Sequence, residues 1–280
     1  NPLRTSTRGT GELIREALDT GVRRVTVGVG GSATVDCGIG MARALGAKFY
    51  DVQGREIIEP NGAALEKIAE MDLTGLDDRI RRTEFTVACD VSNPLAGPEG
   101  AARVYAPQKG ATQQDVERLE AGIDHFAELV AVQLGLEIRH TSGAGAAGGL
   151  GAGLKAFLGA RLQRGIETVM EFTRLRERMR GSAFVFTAEG RVDSQSACGK
   201  VPAGVVELAS ENEIPVLILA GQLGSGWEKL ADRENCGVFS ICDRPMSRAE
   251  AFRRCPALLD RTAGSLLKFW LAARRTSPNE

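Results

Sequence analysis

An alternation of short apolar runs with helical patterns constrains the fold of this chain more than any other feature. From residue 183 onward, apolar runs at 183–186, 216–219 and 238–241 are each followed by polar or glycine-rich residues and then by a helical pattern. Strands that alternate with helices in this way are typical of a parallel sheet covered by helices. The sequence therefore predicts an α/β fold with buried strands in this part of the chain.

The part of the chain before residue 176 contains more glycine and alternates less regularly, but strands and helices are predicted there too. Strands are expected at 25–29 and 85–88, and helices at 11–18, at 38–45 and after the capping pair Thr112 and Asp115. Small residues at 143–153 predict a loop that leads into a helix at 154–158. The polar segment 174–180 predicts a boundary between a first domain at 1–175 and a second at 176–280.

Charge and cysteine content argue against several classes of protein. The 35 Lys and Arg residues nearly balance the 36 Asp and Glu residues, which gives no electrostatic case for a nucleic-acid or membrane partner. The six cysteines form no CxxC pair and there are only two histidines, so we expect no zinc site and a reduced, cytoplasmic compartment. No apolar run approaches the length of a membrane span.

A dense group of polar side chains follows the apolar run at 183–186 and is the strongest candidate for a functional site. Ligands of open α/β sheets bind just beyond the carboxyl ends of the strands. Side chains there could handle a polyanion, a metal or a proton, although a solvated loop is the alternative interpretation. The group comprises Glu189, Arg191, Asp193, Gln195 and Lys200.

A second candidate is the loop between the strand at 25–29 and the next helix. Its glycines, its hydroxyl groups and the following helix N-terminus together predict an anion site. An ordinary tight turn explains the pattern equally well, and Asp36 is a candidate helix cap. The residues concerned are Gly30, Gly31, Ser32 and Thr34.

Three further patterns are weaker. Asp90 and Asn93 follow the strand at 85–88, and Lys109 lies in a short polar loop; each alone is typical of a cap or a solvated turn. A GxGxxG pattern at 143–148, with Glu167 downstream, is the sequence expected of a dinucleotide-dependent oxidoreductase. However, polar residues rather than a strand precede it, which favours close backbone packing instead.

Four ordered stretches together resemble the class I bacterial glycerate kinase family. They are 30–40, 88–95, 107–111 with 143–151, and 189–200. The resemblance implies two α/β domains with the active site between them: a middle domain at 1–175, and the C-terminal half of a Rossmann-like domain at 176–280. This chain departs from the family pattern at Val35, Cys37 and Ala188, where Asn, Gly and Gly are usual.

The activity implied by the resemblance is ATP-dependent phosphorylation of D-glycerate to 2-phosphoglycerate, with Mg²⁺ as the metal. Asp193 would accept the hydroxyl proton or help hold Mg²⁺, and Glu189 would be the second acid beside the metal. Lys200 and Arg191 would neutralise the substrate carboxylate or the phosphates. The remaining implied binding residues are Gly30, Gly31, Ser32, Thr34, Gln195, Asp90 and Asn93.

The family also has an N-terminal segment with a DSFKG-like and an ADGGEGT-like loop, and neither string occurs in these 280 residues. We therefore expect that such a segment is missing here and that activity requires it. Two alternatives remain open. The chain could be a non-catalytic remnant or small-anion-binding module of the same family, or, less in keeping with the motifs, a dinucleotide-dependent oxidoreductase. A homodimer is among the assemblies that the sequence allows.

Overall fold

The computed structural model of the protein describes residues 1–197 and 200–276. Cys198 and Gly199, which belong to the fourth family-like stretch, lie outside the described residues. The chain forms two compact units, Asn1–Thr168 and Val169–Glu280. The domain boundary predicted at residue 175 stays a prediction. Among the described residues, no helix combines the length and the apolar character needed to cross a bilayer.

The first unit is built around a parallel sheet with the strand order β1–β4–β5, in which Val25 pairs with Phe85. A separate antiparallel pair joins β2 to β3. The strands are β1 (Arg24–Gly28), β2 (Lys48–Tyr50), β3 (Glu70–Asp72), β4 (Glu84–Ala88) and β5 (Arg161–Gln163). The helices are α1 (Arg8–Asp19), α2 (Ile39–Ala44), α3 (Ala101–Tyr105), α4 (Gln113–Leu134), α5 (Ala146–Leu158) and α6 (Gly165–Phe172), whose last residues belong to the second unit.

Helix α4 supplies much of the first unit's core. Leu119, Ile123 and Phe126 are fully buried along one side of it, as expected for residues that recur at helical spacing. The ring of Phe126 contacts that of Phe157 on α5, with centroids 6.0 Å apart. The predicted capping box is confirmed, because the Thr112 hydroxyl accepts from the Asp115 amide while the Asp115 carboxylate accepts from the Thr112 amide.

The second unit repeats strand and helix as predicted. Its three strands form a parallel sheet in the order β6–β7–β8, and its long last helix contains Pro256. The strands are β6 (Val185–Glu189), β7 (Val216–Ala220) and β8 (Cys236–Ser240). The helices are α7 (Leu175–Met179), α8 (Val201–Ser210), α9 (Glu228–Ala231) and α10 (Arg248–Thr276).

The α/β fold class is confirmed, but three sequence-based details are wrong. The strand expected at 183–186 is β6, which runs to Glu189, so that this carboxylate ends the strand instead of following it. Strands β1 and β6 are partly exposed rather than buried, because each lies at an edge of its sheet in the described part of the chain. Helix α5 begins at Ala146, not at residue 154.

The early start of α5 follows from tertiary packing. A Cβ atom at Gly153 would lie 2.3 Å from the Cys37 carbonyl oxygen, and one at Gly151 would lie 2.7 Å from the Gly143 carbonyl oxygen. These glycines let the helix touch neighbouring backbone, and that contact outweighs their low helix propensity. Residues 147–149 have positive φ inside the first turns, so regular helix begins at Leu150.

Candidate functional site

Lys109 joins the glycine-rich loop after β1, although the sequence suggested only a cap or a solvated turn for it. Its Nζ donates to the Ser32 hydroxyl at 2.8 Å and to the Thr34 carbonyl oxygen at 2.8 Å. It also lies 5.9 Å from the centroid of the Tyr105 ring. An ammonium has three N–H donors. Two of these donors therefore bind the loop. Their acceptors are a hydroxyl oxygen and a carbonyl oxygen, so neither acceptor carries a negative charge.

The surroundings of Lys109 make its charge costly. Burial lowers the pKa of the Lys109 ammonium to about 8, and the charge of Asp36 only partly opposes this effect. Burial also raises the pKa of the neighbouring Tyr105 hydroxyl. A half-buried cation without a direct carboxylate partner is stabilised by any anion that reaches it.

Asp36 is buried and occupies the N-terminus of α2. Its Oδ2 accepts from the Thr7 amide at 2.7 Å, the Thr7 hydroxyl at 2.9 Å and the Gly40 amide at 3.4 Å, and its Oδ1 accepts from the Gly38 amide at 3.2 Å. Burial raises the pKa of the Asp36 carboxyl in spite of these bonds. The amides of Gly38 and Gly40 at the start of α2 are thus already engaged by Asp36, and the anion site predicted for the preceding loop stays a prediction.

The two residues of the same loop that depart from the family pattern face the core. Val35 and Cys37 are both fully buried, so they leave the polar groups of Ser32 and Thr34 unchanged. Cys37 has a φ of 50°, in the left-handed region that favours glycine. The cysteine is thus accommodated at a position where the family usually has no side chain. Among the loop glycines, Gly31 has a φ of 64°, a backbone conformation that favours glycine.

Asp90 and Asn93 follow β4, the strand beside β1, but each is engaged by nearby backbone or side chains. The Asp90 Oδ1 accepts from the Gly165 amide at 3.0 Å, at the start of α6. Asn93 donates to the Glu99 carbonyl oxygen at 2.8 Å and accepts from the Tyr105 hydroxyl at 2.6 Å. Tyr105 therefore connects Asn93 to the neighbourhood of Lys109.

The glycine-rich segment at 143–148 packs against backbone. Turn residues rather than a strand precede it. A Cβ atom at Gly148 would lie 1.9 Å from the Thr34 carbonyl oxygen, and one at Gly145 would lie 2.2 Å from the Pro94 carbonyl oxygen. The strand–turn–helix context of a dinucleotide site is therefore missing at this position. The glycines instead bring the segment onto the loops after β1 and β4.

In the second unit, the loops after β6 and β7 run side by side beyond the sheet. The Val192 amide donates to the Gln222 carbonyl oxygen at 2.9 Å, and the Gly224 amide donates to the Val192 carbonyl oxygen at 2.8 Å. A further bond of 3.0 Å joins the Ser194 amide to the Ser225 carbonyl oxygen. The glycine-rich and polar character of the loop after β7 did not by itself indicate this pairing.

Arg191 and Asp193 form an ion pair on these joined loops. The Arg191 Nε lies 3.1 Å from the Asp193 Oδ2, while the Asp193 Oδ1 accepts from the amides of Gln195 at 3.0 Å and Ser196 at 3.4 Å. Gly224 leaves room for the pair, since a Cβ atom there would lie 2.8 Å from the Arg191 Nε. The orientation of both side chains is therefore fixed by contacts within this loop pair.

Of the remaining candidates, Glu189 ends β6, and its Oε2 is buried without a hydrogen-bond partner. Lys200 donates to the Gln195 Oε1 at 3.2 Å. The first unit thus holds six of the predicted residues, namely Gly30, Gly31, Ser32, Thr34, Asp90 and Asn93, and the second holds Glu189, Arg191, Asp193, Gln195 and Lys200.

The acidic residues of the second unit suit a magnesium ion. An unpartnered buried carboxylate oxygen, such as the Oε2 of Glu189, is the kind of atom that a hard cation satisfies. The described residues contain no cluster of three or more potential protein ligands. Mg²⁺ needs only one or two carboxylates when phosphates and water complete its shell. Glu189 and Asp193 are therefore compatible with metal that arrives together with a nucleotide.

Comparison with known proteins gives consistent matches along the chain. The family model described as "Glycerate kinase family" matches residues 1–271. A glycerate kinase of Halalkalibacterium halodurans is 45% identical over 266 residues, which cover 95% of this chain and 70% of that protein. The glycerate 2-kinase of Escherichia coli K12 is 44% identical over 253 residues, which cover 90% of this chain and 66% of that protein.

A solved structure gives the same result for the fold. The crystal structure of a putative glycerate kinase 2 from Salmonella typhimurium LT2 is 42% identical and superimposes with a TM-score of 0.82, covering 98% of this chain and 71% of that one. The predicted resemblance and the prediction of a phosphotransferase are confirmed. The chain belongs to the glycerate kinase family.

Proposed function

We propose that this protein transfers the γ-phosphoryl group of ATP to a hydroxyl of D-glycerate and forms 2-phosphoglycerate and ADP, with Mg²⁺ as cofactor, in the cytoplasm. One observation carries the proposal. In a chain of this family, a parallel strand ends at a glutamate with an unpartnered oxygen, and a paired arginine and aspartate follow it. Such a group can manage the charge and the proton of phosphoryl transfer.

In the proposed reaction, the hydroxyl oxygen of D-glycerate forms a bond to the γ-phosphorus while the bond from that phosphorus to the bridging oxygen breaks. ADP leaves with the bridging oxygen, and the Asp193 carboxylate takes the hydroxyl proton. Because two amides hold the Asp193 Oδ1, its Oδ2 is the oxygen that faces the substrate. Arg191 lies beside it and would neutralise charge on the transferred group.

Magnesium, when bound, neutralises the phosphate charge and orients the β- and γ-phosphates. Glu189, whose Oε2 has no hydrogen-bond partner, is the residue that would hold it; Asp193 would join it only in place of its role as proton acceptor. Lys200, kept near the loop by Gln195, would contact phosphate or carboxylate oxygens as a point charge.

The loop of the first unit is proposed to bind an anionic group of a substrate. The third Lys109 N–H, the Ser32 hydroxyl and the backbone around Gly31 are the candidate donors, because Asp36 already occupies the α2 N-terminus. Asp90 and Asn93 are proposed to line the same region, and Gly30 and Thr34 to shape it. This part of the proposal rests mainly on the cation that Lys109 contributes.

The test is an ADP-release assay with D-glycerate and MgATP, and NMR identification of the product. The protein is expressed from its gene with whatever in-frame coding sequence adjoins these residues. We expect D-glycerate-dependent ADP release and a loss of at least about 100-fold in kcat for Asp193→Asn. Asp51→Asn, at another ion-paired aspartate, serves as the control. No D-glycerate-dependent ADP release would refute the function, and near-normal turnover by Asp193→Asn would refute the role of that residue.

A further inference from the structure

The second unit contains a cavity of about 840 Å³ at the carboxyl ends of its three strands. Gly190 and Arg191 contribute from the loop after β6, Gly221 and Gln222 from the loop after β7, and the segment between β8 and α10 closes the other side. Its size falls in the range of sites that take small organic ligands. Its place at neighbouring strand ends is where open α/β sheets bind them.

The lining of this cavity is basic. Arg191, Arg244 and Arg248 all contribute to it, and none of the described residues that line it is acidic. Arg244 contacts Glu250 through one nitrogen at 2.7 Å, and Arg191 contacts Asp193 through its Nε. A guanidinium has five N–H donors, so both arginines retain donors for a ligand. The charge of the lining indicates a ligand with several negative charges.

One wall is apolar and carries an exposed aromatic ring. Phe252, near the start of α10, is 68% exposed at the cavity, and the Arg248 guanidinium lies 5.4 Å from its ring centroid. Met246 lies on the same side, with Ile241 and Leu258 behind it. Exposed aromatic faces next to arginine are suited to stacking a planar base.

We propose that this cavity binds the phosphate donor as an adenine nucleoside triphosphate. The base lies against Phe252 and Met246, and the phosphates extend toward Arg191 and the glycine pair Gly190 and Gly221. The two loops pack backbone to backbone here, since a Cβ atom at Gly221 would lie 2.7 Å from the Gly190 carbonyl oxygen, whereas the space beside the Gly190 Cα is open. The triphosphate then ends beside Glu189, whose Oε2 lacks a partner. This inference rests on the proposed kinase function.

The test measures ATP binding and catalysis separately in the full chain. Calorimetry with MgATP in the absence of D-glycerate gives Kd, and steady-state kinetics give KM for each substrate. The variants are Phe252→Ala and Arg248→Gln. Their matched controls lie on the same helix outside the cavity: Phe269→Ala, whose ring is 75% exposed, and Arg253→Gln, also exposed. Thermal unfolding checks that all four variants are folded.

We expect each cavity variant to weaken ATP binding about tenfold and to raise KM for ATP equally, with KM for D-glycerate unchanged. Both controls should match the wild type. Wild-type affinity in Phe252→Ala and Arg248→Gln, or no ATP binding by the wild type, would overturn the assignment. ATP binding that depends on Phe252 in a protein inactive on D-glycerate would support the cavity and reject the kinase proposal. Normal D-glycerate kinase activity with unchanged KM for ATP in the variants would support the kinase proposal and reject the assignment of the cavity.

Discussion

Replacing Lys109 with methionine should lower the activity on D-glycerate. It should also remove the rise in folding stability that the Lys109 ammonium gives the wild type as pH increases. The folded-state pKa of about 8 lies below the ordinary value of 10.5. The unfolded chain therefore binds more protons between these two pH values, and stability rises with pH across that window. The cost of the buried charge is fully present below pH 8 and is lost as pH rises toward 10.5.

The size of the effect follows from the shift. A full shift of this size corresponds to about 3 kcal/mol, and partial exposure of the side chain reduces it to about 2 kcal/mol. Lys109→Met removes this cost, but it also removes the bonds to Ser32 and Thr34, each worth about 1 kcal/mol. We therefore expect similar stability at pH 7. At pH 10, just below the unfolded-state pKa of 10.5, part of this cost remains in the wild type, and the variant should be about 1 kcal/mol less stable than the wild type.

Catalysis should respond differently. Loss of a charged hydrogen bond to the substrate lowers kcat/KM for D-glycerate about 10- to 100-fold, with little change in KM for ATP. In the wild type, about 90% of Lys109 is protonated at pH 7 and about 10% at pH 9, so KM for D-glycerate should rise over this range. Lys109→Arg, which keeps its charge, should lose this dependence.

The assays are urea unfolding of the wild type and Lys109→Met at pH 7 and 10, and D-glycerate kinetics from pH 6.5 to 9.5. A stability difference that does not vary with pH would refute the burial cost assigned to Lys109. A KM for D-glycerate that shows the same pH dependence in Lys109→Arg as in the wild type would refute its role in binding the anion.

Two further changes test individual contacts. Gly224→Ala would place a methyl group 2.8 Å from the Arg191 Nε, so steady-state kinetics should show kcat lowered about tenfold or more with a nearly unchanged Tm; normal kcat would mean that the Arg191–Asp193 geometry is not needed. Thr112→Ala removes the capping box of α4 and should lower the free energy of unfolding in urea by about 1 kcal/mol without changing KM, whereas Thr112→Ser should restore it; equal stability of the two variants would contradict this account.

The elements that the sequence predicted well are those set by local chemistry. The hydroxyl and carboxylate that cap α4 lie three residues apart, and the buried residues of that helix recur at its own period. The alternation after residue 183 is likewise visible in short windows, and the parallel pairing of β6, β7 and β8 follows from it.

The features that the sequence did not reveal depend on contacts between distant residues. Lys109 contacts Ser32 and Thr34, more than seventy positions away, so no local window distinguishes it from a solvated lysine. The helix at Gly151 and Gly153 forms because neighbouring backbone leaves no room for side chains. The sequence around Phe252 and Arg248 shows no distinctive spacing of polar and aromatic residues, so it does not indicate a cavity wall.

The hydrogen bonds that join the loops after β6 and β7 link the motion of the two loops. Val192 exchanges bonds with Gln222 and Gly224, and Ser194 donates to Ser225. Separating either loop from the other breaks all three bonds, so the loops should open together as one cooperative unit rather than fraying independently. A ligand that orders Arg191 on one loop would then also restrain Gln222 on the other. A second ligand that contacts the other loop would meet a loop pair that is already ordered, so it would not lose that conformational entropy again.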